Sequence, residues 1–217
     1  NVHPPESADE IGRIDGHILL ELLAEGGMAV VFRAREIALD RIVALKMLSP
    51  ELAGIPEARG RFLREAKSAA GLVHENVLPI HRVGEDPLPY FTMRLVTGGT
   101  LQDRLDRGES LSGDTWTMLA RQAAGALGAA HAVGIIHRDV KPANLLFDER
   151  GRLWMADFGI AASLHDPLPA ADHVLGTPRY MSPEQARAAV IDGRSDLFAL
   201  GAVLYRCAAG EDLVAGE

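Results

Sequence analysis

Residues 137–144 read His-Arg-Asp-Val-Lys-Pro-Ala-Asn, and residues 157–159 read Asp-Phe-Gly. Transfer of a phosphoryl group needs a carboxylate that orients the attacking hydroxyl, oxygen ligands for Mg²⁺, and a cation that offsets charge on the transferred group. Groups of these three kinds rarely meet by chance in so short a stretch, so the pattern indicates phosphoryl transfer. The carboxylate is Asp139, the metal ligands are Asn144 and Asp157, and the cation is Lys141.

A glycine-containing turn lies upstream, where residues 24–31 read Ala-Glu-Gly-Gly-Met-Ala-Val-Val between two predicted strands. Glycine allows a backbone to approach a phosphate closely and to direct N–H groups at it. Taken alone, Gly26 and Gly27 would more often form an ordinary hairpin turn. This stretch therefore supports a phosphate site only together with the motifs around it.

Lys46 ends the stretch Val-Ala-Leu-Lys of residues 43–46 on a predicted strand, and Glu65 lies on the predicted helix that follows. A lysine that faces the interior needs an opposite charge nearby. Glu65 and a nucleotide phosphate could both provide that charge. Single residues of these types are more often solvated, so this pair also depends on the rest of the pattern.

The chain divides into a strand-rich part and a helix-rich part. β-Branched residues at strand spacing predict an antiparallel sheet, accompanied by one amphipathic helix over residues 56–71. The glycine pair within residues 97–100, Thr-Gly-Gly-Thr, predicts a hinge, after which long helices dominate. Strands are predicted at 18–23, 30–35, 42–47, 77–83 and 90–95, and helices beyond the hinge at about 114–133 and 194–209.

These elements predict the α+β class and three segments. Residues 1–16 are polar and contain two prolines, which predicts a linker or disordered terminus. Residues 17–96 are expected to form a lobe of antiparallel sheet with one helix. Residues 97–217 are expected to form a mainly helical lobe.

The composition excludes several function classes. A formal net charge of −8 argues against general binding of nucleic acid or of an anionic membrane, since both need a dense basic surface. No apolar run reaches the roughly 18 residues that a membrane-spanning helix needs. Cys207 is the sole cysteine, which fits a reducing, cytoplasmic compartment. Because the chain begins at Asn1, we expect it to be a piece of a longer protein, whose membrane anchor could lie outside this piece.

Together these motifs resemble the signature set of eukaryotic-like, Hanks-type protein kinases, and their sequence is most similar to the bacterial serine/threonine kinases. The likeness covers the whole chain after the linker, and its order continues through three later motifs. It implies a bilobal kinase fold and a signalling enzyme that moves the γ-phosphoryl group of ATP, with Mg²⁺ or Mn²⁺, onto Ser or Thr of protein substrates. The later motifs are Gly-Thr at 176–177, Ser-Pro-Glu at 182–184 and Ser-Asp at 195–196.

The resemblance also assigns roles to residues. It implies that Asp139 orients the substrate hydroxyl and that Lys46 holds the nucleotide phosphates while pairing with Glu65. It implies a catalytic set of Asp139, Lys141, Lys46 and Glu65, with Asn144 and Asp157 on the metal. The implied nucleotide site comprises Ala24, Gly26, Gly27, Val31, Ala44, Lys46, Met93, Leu95 and Val96. The implied activation and substrate segment includes Asp157, Phe158, Gly159, Thr177 and Glu184.

The glycine-rich turn departs from the family pattern at Ala24 and Ala29, where the family has glycine. An alanine forced to positive φ would cost about 1–2 kcal/mol. A catalytically weak pseudokinase, or a nucleotide-binding scaffold, is therefore the alternative to an active kinase. A small-molecule phosphotransferase of related fold is a third reading, against which the motifs at 176–177 and 182–184 favour a protein substrate.

Two further expectations concern regulation and completeness. Arg138 indicates an anion in the activation segment, yet residues 164–176 hold no Ser, Thr or Tyr, so Asp172 is hypothesised to substitute for a phosphate. Glu184 pairs in the family with an arginine of a later helix. Because the chain ends at Glu217, we expect an incomplete second lobe and a buried Glu184 without a partner, at a cost of about 3–5 kcal/mol. A dimer formed through the first lobe is left open.

Overall fold

The computed structural model of the chain describes residues 9–158 and 178–213. The chain separates into two compact units, described here one at a time. The first unit runs up to Gly71 and also contains Leu78–Val96. The second contains Leu72–Val77 and everything from Thr97 onward.

The first unit is a six-stranded antiparallel sheet with two helices. Its strands are arranged in the order β1-β2-β3-β4-β6-β5, so only β5 and β6 exchange places relative to the sequence. The strands are β1 (Gly12–Ile14), β2 (His17–Glu25), β3 (Ala29–Glu36), β4 (Arg41–Leu48), β5 (Ile80–Gly84) and β6 (Tyr90–Arg94), and the helices are α1 (Pro50–Ala53) and α2 (Pro56–Ala70).

The alternation of side chains along β4 explains why this sheet forms. Successive residues of a strand point to opposite faces. One face carries a cluster of buried residues, Ile14, Leu19, Ala34, Val43, Leu45, Met47 and Tyr90. The opposite face packs on α2 through a second cluster, Leu48, Phe62, Leu63, Ala66 and Phe91.

The second unit is mainly helical, with one small hairpin. Helix α4 (Gly113–Ala132) is rich in alanine and glycine, which lets neighbouring backbones approach closely, and it packs on α6 (Gly193–Ala209) and on β8 (Leu153–Met155). The Trp116 indole N–H donates to the Leu204 carbonyl oxygen across the α4–α6 contact, at 3.2 Å. The elements are α3 (Leu101–Asp106), α4 (Gly113–Ala132), β7 (Leu145–Phe147), β8 (Leu153–Met155), α5 (Pro183–Ala186) and α6 (Gly193–Ala209).

Comparison with the sequence confirms the predicted class and corrects three details. The linker expected up to residue 16 is too long, because Gly12–Ile14 forms strand β1 and Ile14 is buried. The strand expected from residue 77 begins at Ile80. Residues 72–77 belong with the second unit, where the Asn76 amide donates to the Leu153 carbonyl oxygen at 2.8 Å. None of the described helices combines the length and the apolar character of a membrane-spanning segment.

Gly98 and Gly99 are the glycine pair at which the sequence placed a hinge. Gly99 has φ +76°, a conformation that glycine adopts without strain. A Cβ added to Gly98 would lie against the Phe147 carbonyl oxygen and 2.9 Å from the Asp148 carbonyl oxygen. Backbone atoms cannot move aside as a side chain can, so this position excludes any larger residue.

Gly98→Ala is therefore expected to destabilise the protein by about 1–3 kcal/mol, the usual cost of an overpacked contact. The measurement is the free energy of unfolding from denaturant titration. Gly128→Ala is the matched control, because Gly128 lies in α4 with open space around its Cα. That control should gain stability, since alanine is the better helix former by about 1 kcal/mol. Equal effects of the two substitutions would contradict the expected clash.

Helix α3 begins with a capping box whose carboxylate makes the free energy of unfolding depend on pH. The Thr100 backbone N–H donates to Asp103 Oδ2 at 2.7 Å, and Asp103 N donates to Thr100 Oγ1 at 3.0 Å. The hydrogen bond from Thr100 lowers the pKa of Asp103 below its ordinary 3.8, against a smaller opposing effect of burial. The folded protein thus holds this proton less tightly than the unfolded chain.

The stabilisation from the Asp103 carboxylate is expected to be complete above its ordinary pKa and to be lost as the pH falls through the lowered value. Denaturant titrations from about pH 7 to about pH 2.5 would measure it, with Asp103→Asn against the parent. In a plot of the free energy of unfolding against pH, the substitution should reduce the fall at the acidic end, which is called here the acid limb. Asp9→Asn, at an exposed position, is the control and should leave the limb as it is. Identical limbs in parent and Asp103→Asn would contradict the assignment.

Candidate active site

Two of the predicted catalytic residues, Asp139 and Lys141, and the predicted metal ligand Asn144 lie together in the second unit, between α4 and β7. The Lys141 ammonium is 2.7 Å from Asp139 Oδ2. The Asn144 Nδ2 donates to the same Oδ2 at 3.2 Å and to the Asp139 carbonyl oxygen at 2.8 Å. The structure therefore unites a carboxylate, a cation and an amide whose sequence positions predicted a common site.

The Asn144 side chain has a defined orientation. Its nitrogen is committed to Asp139, so its Oδ1 is the atom that it would offer to a metal. The Asn144 carbonyl oxygen accepts from the Ala156 N–H at 3.0 Å, which ties the residue before Asp157 to this loop. Asp157 has φ +61°, a conformation that costs a non-glycine residue about 1–2 kcal/mol. Strain of this kind is concentrated at functional sites.

His137 links the loop to the strand that leads to Asp157. Its Nδ1 accepts from the Asp139 N–H at 3.3 Å, so Nε2 carries the proton and donates to the Ala156 carbonyl oxygen at 2.9 Å. The ring is fully buried and lies 4.6 Å from the Phe158 ring, between centroids. The His137 and Phe158 rings are therefore in direct contact inside this unit. Gly159, the next residue of that motif, lies outside the described residues.

Asp196, in the first turn of α6, is the site residue to which sequence reasoning gave no role. Its carboxylate is fully buried. Oδ2 accepts from the His137 N–H at 2.8 Å and from His131 Nε2 at 2.7 Å, and Oδ1 accepts from the Arg138 N–H at 2.7 Å. Arg138 has φ +66°, so this carboxylate holds a strained stretch of loop in place.

The sequence carries no clear signal for this role, because an aspartate in the first turn of a helix is favourable in its own right. His131, near the end of α4, is a hydrogen-bond partner of Asp196. The His131 ring also explains why residue 193 is a glycine, since a Cβ there would lie 2.7 Å from His131 Nδ1.

Lys46 lies in the first unit, on the face of β4 that packs on α2. It is opposite Val31 of β3 and Phe91 of β6, and only 9% of its surface is exposed. The ammonium lies 6.0 Å from the centroid of the Phe91 ring. Glu65 is half-buried on α2, the helix that covers this face. A buried ammonium in apolar surroundings requires compensating negative charge.

The residues expected to contact the adenine share that face of the sheet. Ala44 is directly opposite Met93, and Val31 is directly opposite Lys46. Leu95 and Val96 follow the end of β6 and are half-buried. The register therefore brings together the side chains of Val31, Ala44, Lys46 and Met93, as a common ligand would require.

The glycine-rich turn between β2 and β3 is closed by a hydrogen bond from the Gly26 N–H to the Ala29 carbonyl oxygen at 3.0 Å. Ala24 lies in β2 and Ala29 in β3, and neither is among the described residues with positive φ. The alanines are therefore unstrained. A Cβ added at Gly26 would come no closer than 3.6 Å to another residue, and one at Gly27 would meet nothing within 4 Å. The protein's own packing does not demand glycine here, which leaves room for an external group such as a phosphate.

Glu184 lies in the first turn of α5 and corrects one expectation. It is half-buried, and the Ser195 hydroxyl donates a hydrogen bond to its Oε1. That hydrogen bond, followed by one from the backbone, lowers the pKa of Glu184. The expectation of a buried carboxylate without a partner was therefore wrong, because α6 supplies a donor. Thr177 and Asp172 lie outside the described residues, so the roles expected of them stay predictions.

The sequence and the structure of the chain are both similar to those of known proteins. The protein kinase domain family matches residues 18–217. The DNA damage-responsive serine/threonine-protein kinase RqkA of Deinococcus radiodurans is 44% identical over 207 residues, which cover 92% of this chain and 30% of that protein. The serine/threonine-protein kinase PknB of Mycobacterium leprae is 40% identical over 94% of this chain and 34% of its own length. The chain thus spans about a third of these relatives.

Among solved structures, the kinase domain of Mycobacterium tuberculosis PknI superimposes with a TM-score of 0.75 at 31% sequence identity. The match covers 97% of this chain and 80% of that one. The described units therefore have the fold of a protein kinase domain, as the α+β prediction required.

Proposed function

The chain belongs to the protein kinase domain family, and from that membership we propose that it is a serine/threonine protein kinase, transferring the γ-phosphoryl group of ATP to hydroxyl groups of protein substrates. The observation that carries the proposal is the cluster of Asp139, Lys141 and Asn144 around one carboxylate oxygen. The bacterial serine/threonine kinases named above support the choice of acceptor.

In this mechanism Asp139 orients the attacking hydroxyl and accepts its proton. The carboxylate is fixed by the Lys141 ammonium at 2.7 Å and by the Asn144 amide at 3.2 Å, so it is aligned before a substrate arrives. Lys141 also offsets the negative charge that the transferred group carries, because its ammonium lies beside the point of attack.

Asn144 and Asp157 would hold the divalent metal, Mg²⁺ or Mn²⁺. An amide oxygen and a carboxylate are the hard oxygen ligands that Mg²⁺ prefers. Phosphate oxygens and water would complete the coordination, as is usual where Mg²⁺ binds with a nucleotide. When bound, the metal would neutralise charge between the phosphates.

The nucleotide would lie against the face of the sheet that carries Lys46. Val31, Ala44 and Met93 would contact the base, and Leu95 and Val96 would offer it backbone groups. Lys46 would hold the phosphates with Glu65 as its counter-ion, and the turn at Gly26 and Gly27 would approach them closely. The side chains of Val31, Ala44, Lys46 and Met93 support this, since the strand register already gathers them.

The catalytically weak alternative rested on Ala24 and Ala29. Their ordinary backbone conformation removes the strain that would have weakened nucleotide binding. The contacts of Asp139 with Lys141 and Asn144 also support transfer. We therefore place an active kinase ahead of a pseudokinase or a nucleotide-binding scaffold.

The test is a transfer assay with labelled ATP, Mg²⁺ and a generic basic protein, run beside a tyrosine-containing and a serine-containing peptide. Label on serine or threonine of the protein supports the proposal. Binding of ATP without transfer would favour the scaffold instead. Transfer to small molecules but not to protein would favour a small-molecule phosphotransferase.

A further inference from the structure

Gln185, at the third position of α5, makes side-chain hydrogen bonds to two separate segments. Its Oε1 accepts from the Ser182 N–H at 3.1 Å, and its own N–H donates to Ser182 Oγ at 3.3 Å, which completes a capping box. Its Nε2 donates to the carbonyl oxygen of Arg138 at 2.8 Å. In the capping box the Gln185 side chain acts only as an acceptor, whereas towards Arg138 it acts as a donor.

The peptide group between Arg138 and Asp139 is therefore fixed on both sides. Gln185 holds its oxygen, and His137 Nδ1 accepts its N–H at 3.3 Å. The preceding peptide is held as well, because the Arg138 N–H donates to Asp196 Oδ1 at 2.7 Å. Rotation of the 138–139 peptide would turn the Cα of Asp139, and with it the carboxylate that Lys141 and Asn144 align.

Arg138 also has φ +66°, so the loop does not favour this conformation by itself. The contacts that impose it come from elsewhere in the chain. Asp196 and Gln185 follow Arg138 by 58 and 47 residues. Two such anchors with different chemistry, a carboxylate for the N–H and an amide for the C=O, are needed to hold both polar groups of one residue.

We propose that Gln185 is a positioning residue for phosphoryl transfer: it couples the start of α5 to the orientation of Asp139 through the Arg138 carbonyl. The inference rests on the proposed kinase activity. It follows that the segment around Ser182–Glu184 and the loop around Asp139 adjust together, and that an amide at position 185 serves two purposes which a carboxylate cannot combine.

Gln185→Glu separates the two purposes. Glutamate keeps the acceptor for the Ser182 N–H and is favoured in a capping box, but it cannot donate to the Arg138 carbonyl. Gln102→Glu is the matched control, since Gln102 Nε2 donates to Asp106 Oδ1 at 2.6 Å and Oε1 accepts from Arg206 Nη1 at 3.4 Å. Both substitutions remove one amide donor, keep an acceptor and add one negative charge. Gln185→Ala removes donor and cap together.

We expect Gln185→Glu to lower kcat for a serine peptide about tenfold relative to Gln102→Glu, which corresponds to about 1.4 kcal/mol. The KM for ATP and the Tm should stay close to those of the control. Gln185→Ala should lose kcat similarly and Tm in addition. Amide hydrogen exchange at Asp139 should be about tenfold faster in Gln185→Glu, a readout that does not depend on activity.

Unchanged kcat and unchanged exchange in Gln185→Glu would overturn the inference. A parallel loss of Tm, ATP affinity and kcat would also overturn it, because it would show a purely structural role. A parent chain that transfers no phosphate would refute the proposed function instead. In that case the exchange comparison still decides whether Gln185 holds the loop.

Discussion

Asp139→Asn is expected to slow phosphoryl transfer to a serine peptide by about 10²- to 10⁴-fold, the usual contribution of a positioned acid or base. The asparagine has the same shape and keeps one acceptor oxygen, but it cannot take up the proton of the attacking hydroxyl. Lys141 would also lose its 2.7 Å ion pair. The defect should therefore appear in kcat, while the KM for ATP changes by no more than a few-fold.

Steady-state kinetics with a serine peptide would measure this effect. Asp114→Asn is the control, because Asp114 is exposed in the first turn of α4, within the same unit. Thermal unfolding of both variants would confirm that each is folded. A loss of less than tenfold in Asp139→Asn, with the parent active, would show that another group orients the hydroxyl.

Asp196→Ala is expected to have the largest effect on stability. Removal of the carboxylate leaves the N–H groups of His137 and Arg138 without their acceptor. A buried donor that loses its acceptor costs about 1–3 kcal/mol, so the two together cost about 2–6 kcal/mol. Such a loss is a large part of the 5–15 kcal/mol by which a typical domain is stable. His131, which is partly exposed, can exchange its lost partner for water.

Asp192→Ala provides the comparison for Asp196→Ala in the same helix. Asp192 caps α6 by accepting from the Arg194 N–H, and it is exposed, so its loss should cost about 0.5–2 kcal/mol. Denaturant titration of both variants would rank the two effects. If Asp196→Ala does not fold, Asp196→Asn offers a milder change that keeps one acceptor. Equal costs for Asp192→Ala and Asp196→Ala would mean that the buried hydrogen bonds contribute little.

Short-range patterns in the sequence predicted those contacts of the site that lie within a few residues along the chain. Residues 137–144 form a compact loop, so the contacts of Asp139 with Lys141 and Asn144 span only a few residues. Strand alternation likewise fixes which face of β4 carries Lys46. The grouping of Val31, Ala44 and Met93 with Lys46 was implied by the family resemblance, because it depends on the register of three strands.

The parts that the sequence did not predict depend on distant contacts or on very short elements. Asp196 reaches His131 and His137 across 65 and 59 residues, and no periodicity reports such a pairing. Strand β1 has three residues, too few to show an alternation. Glu184 accepts a hydrogen bond from Ser195 on a different helix, whereas the family pattern pointed to an arginine.

The buried hydrogen bonds of Asp196 also determine when the loop around Asp139 can become ordered during synthesis of the chain. Ribosomes deliver the chain from its N-terminus, and the loop that carries Asp139 emerges well before α6. Until Asp196 arrives, the N–H groups of His137 and Arg138 lack their carboxylate acceptor, and the strained loop lacks one of its two distant anchors. With the function proposed above, a nascent chain would complete its β-sheet unit early and would gain phosphoryl transfer only after α6 has docked.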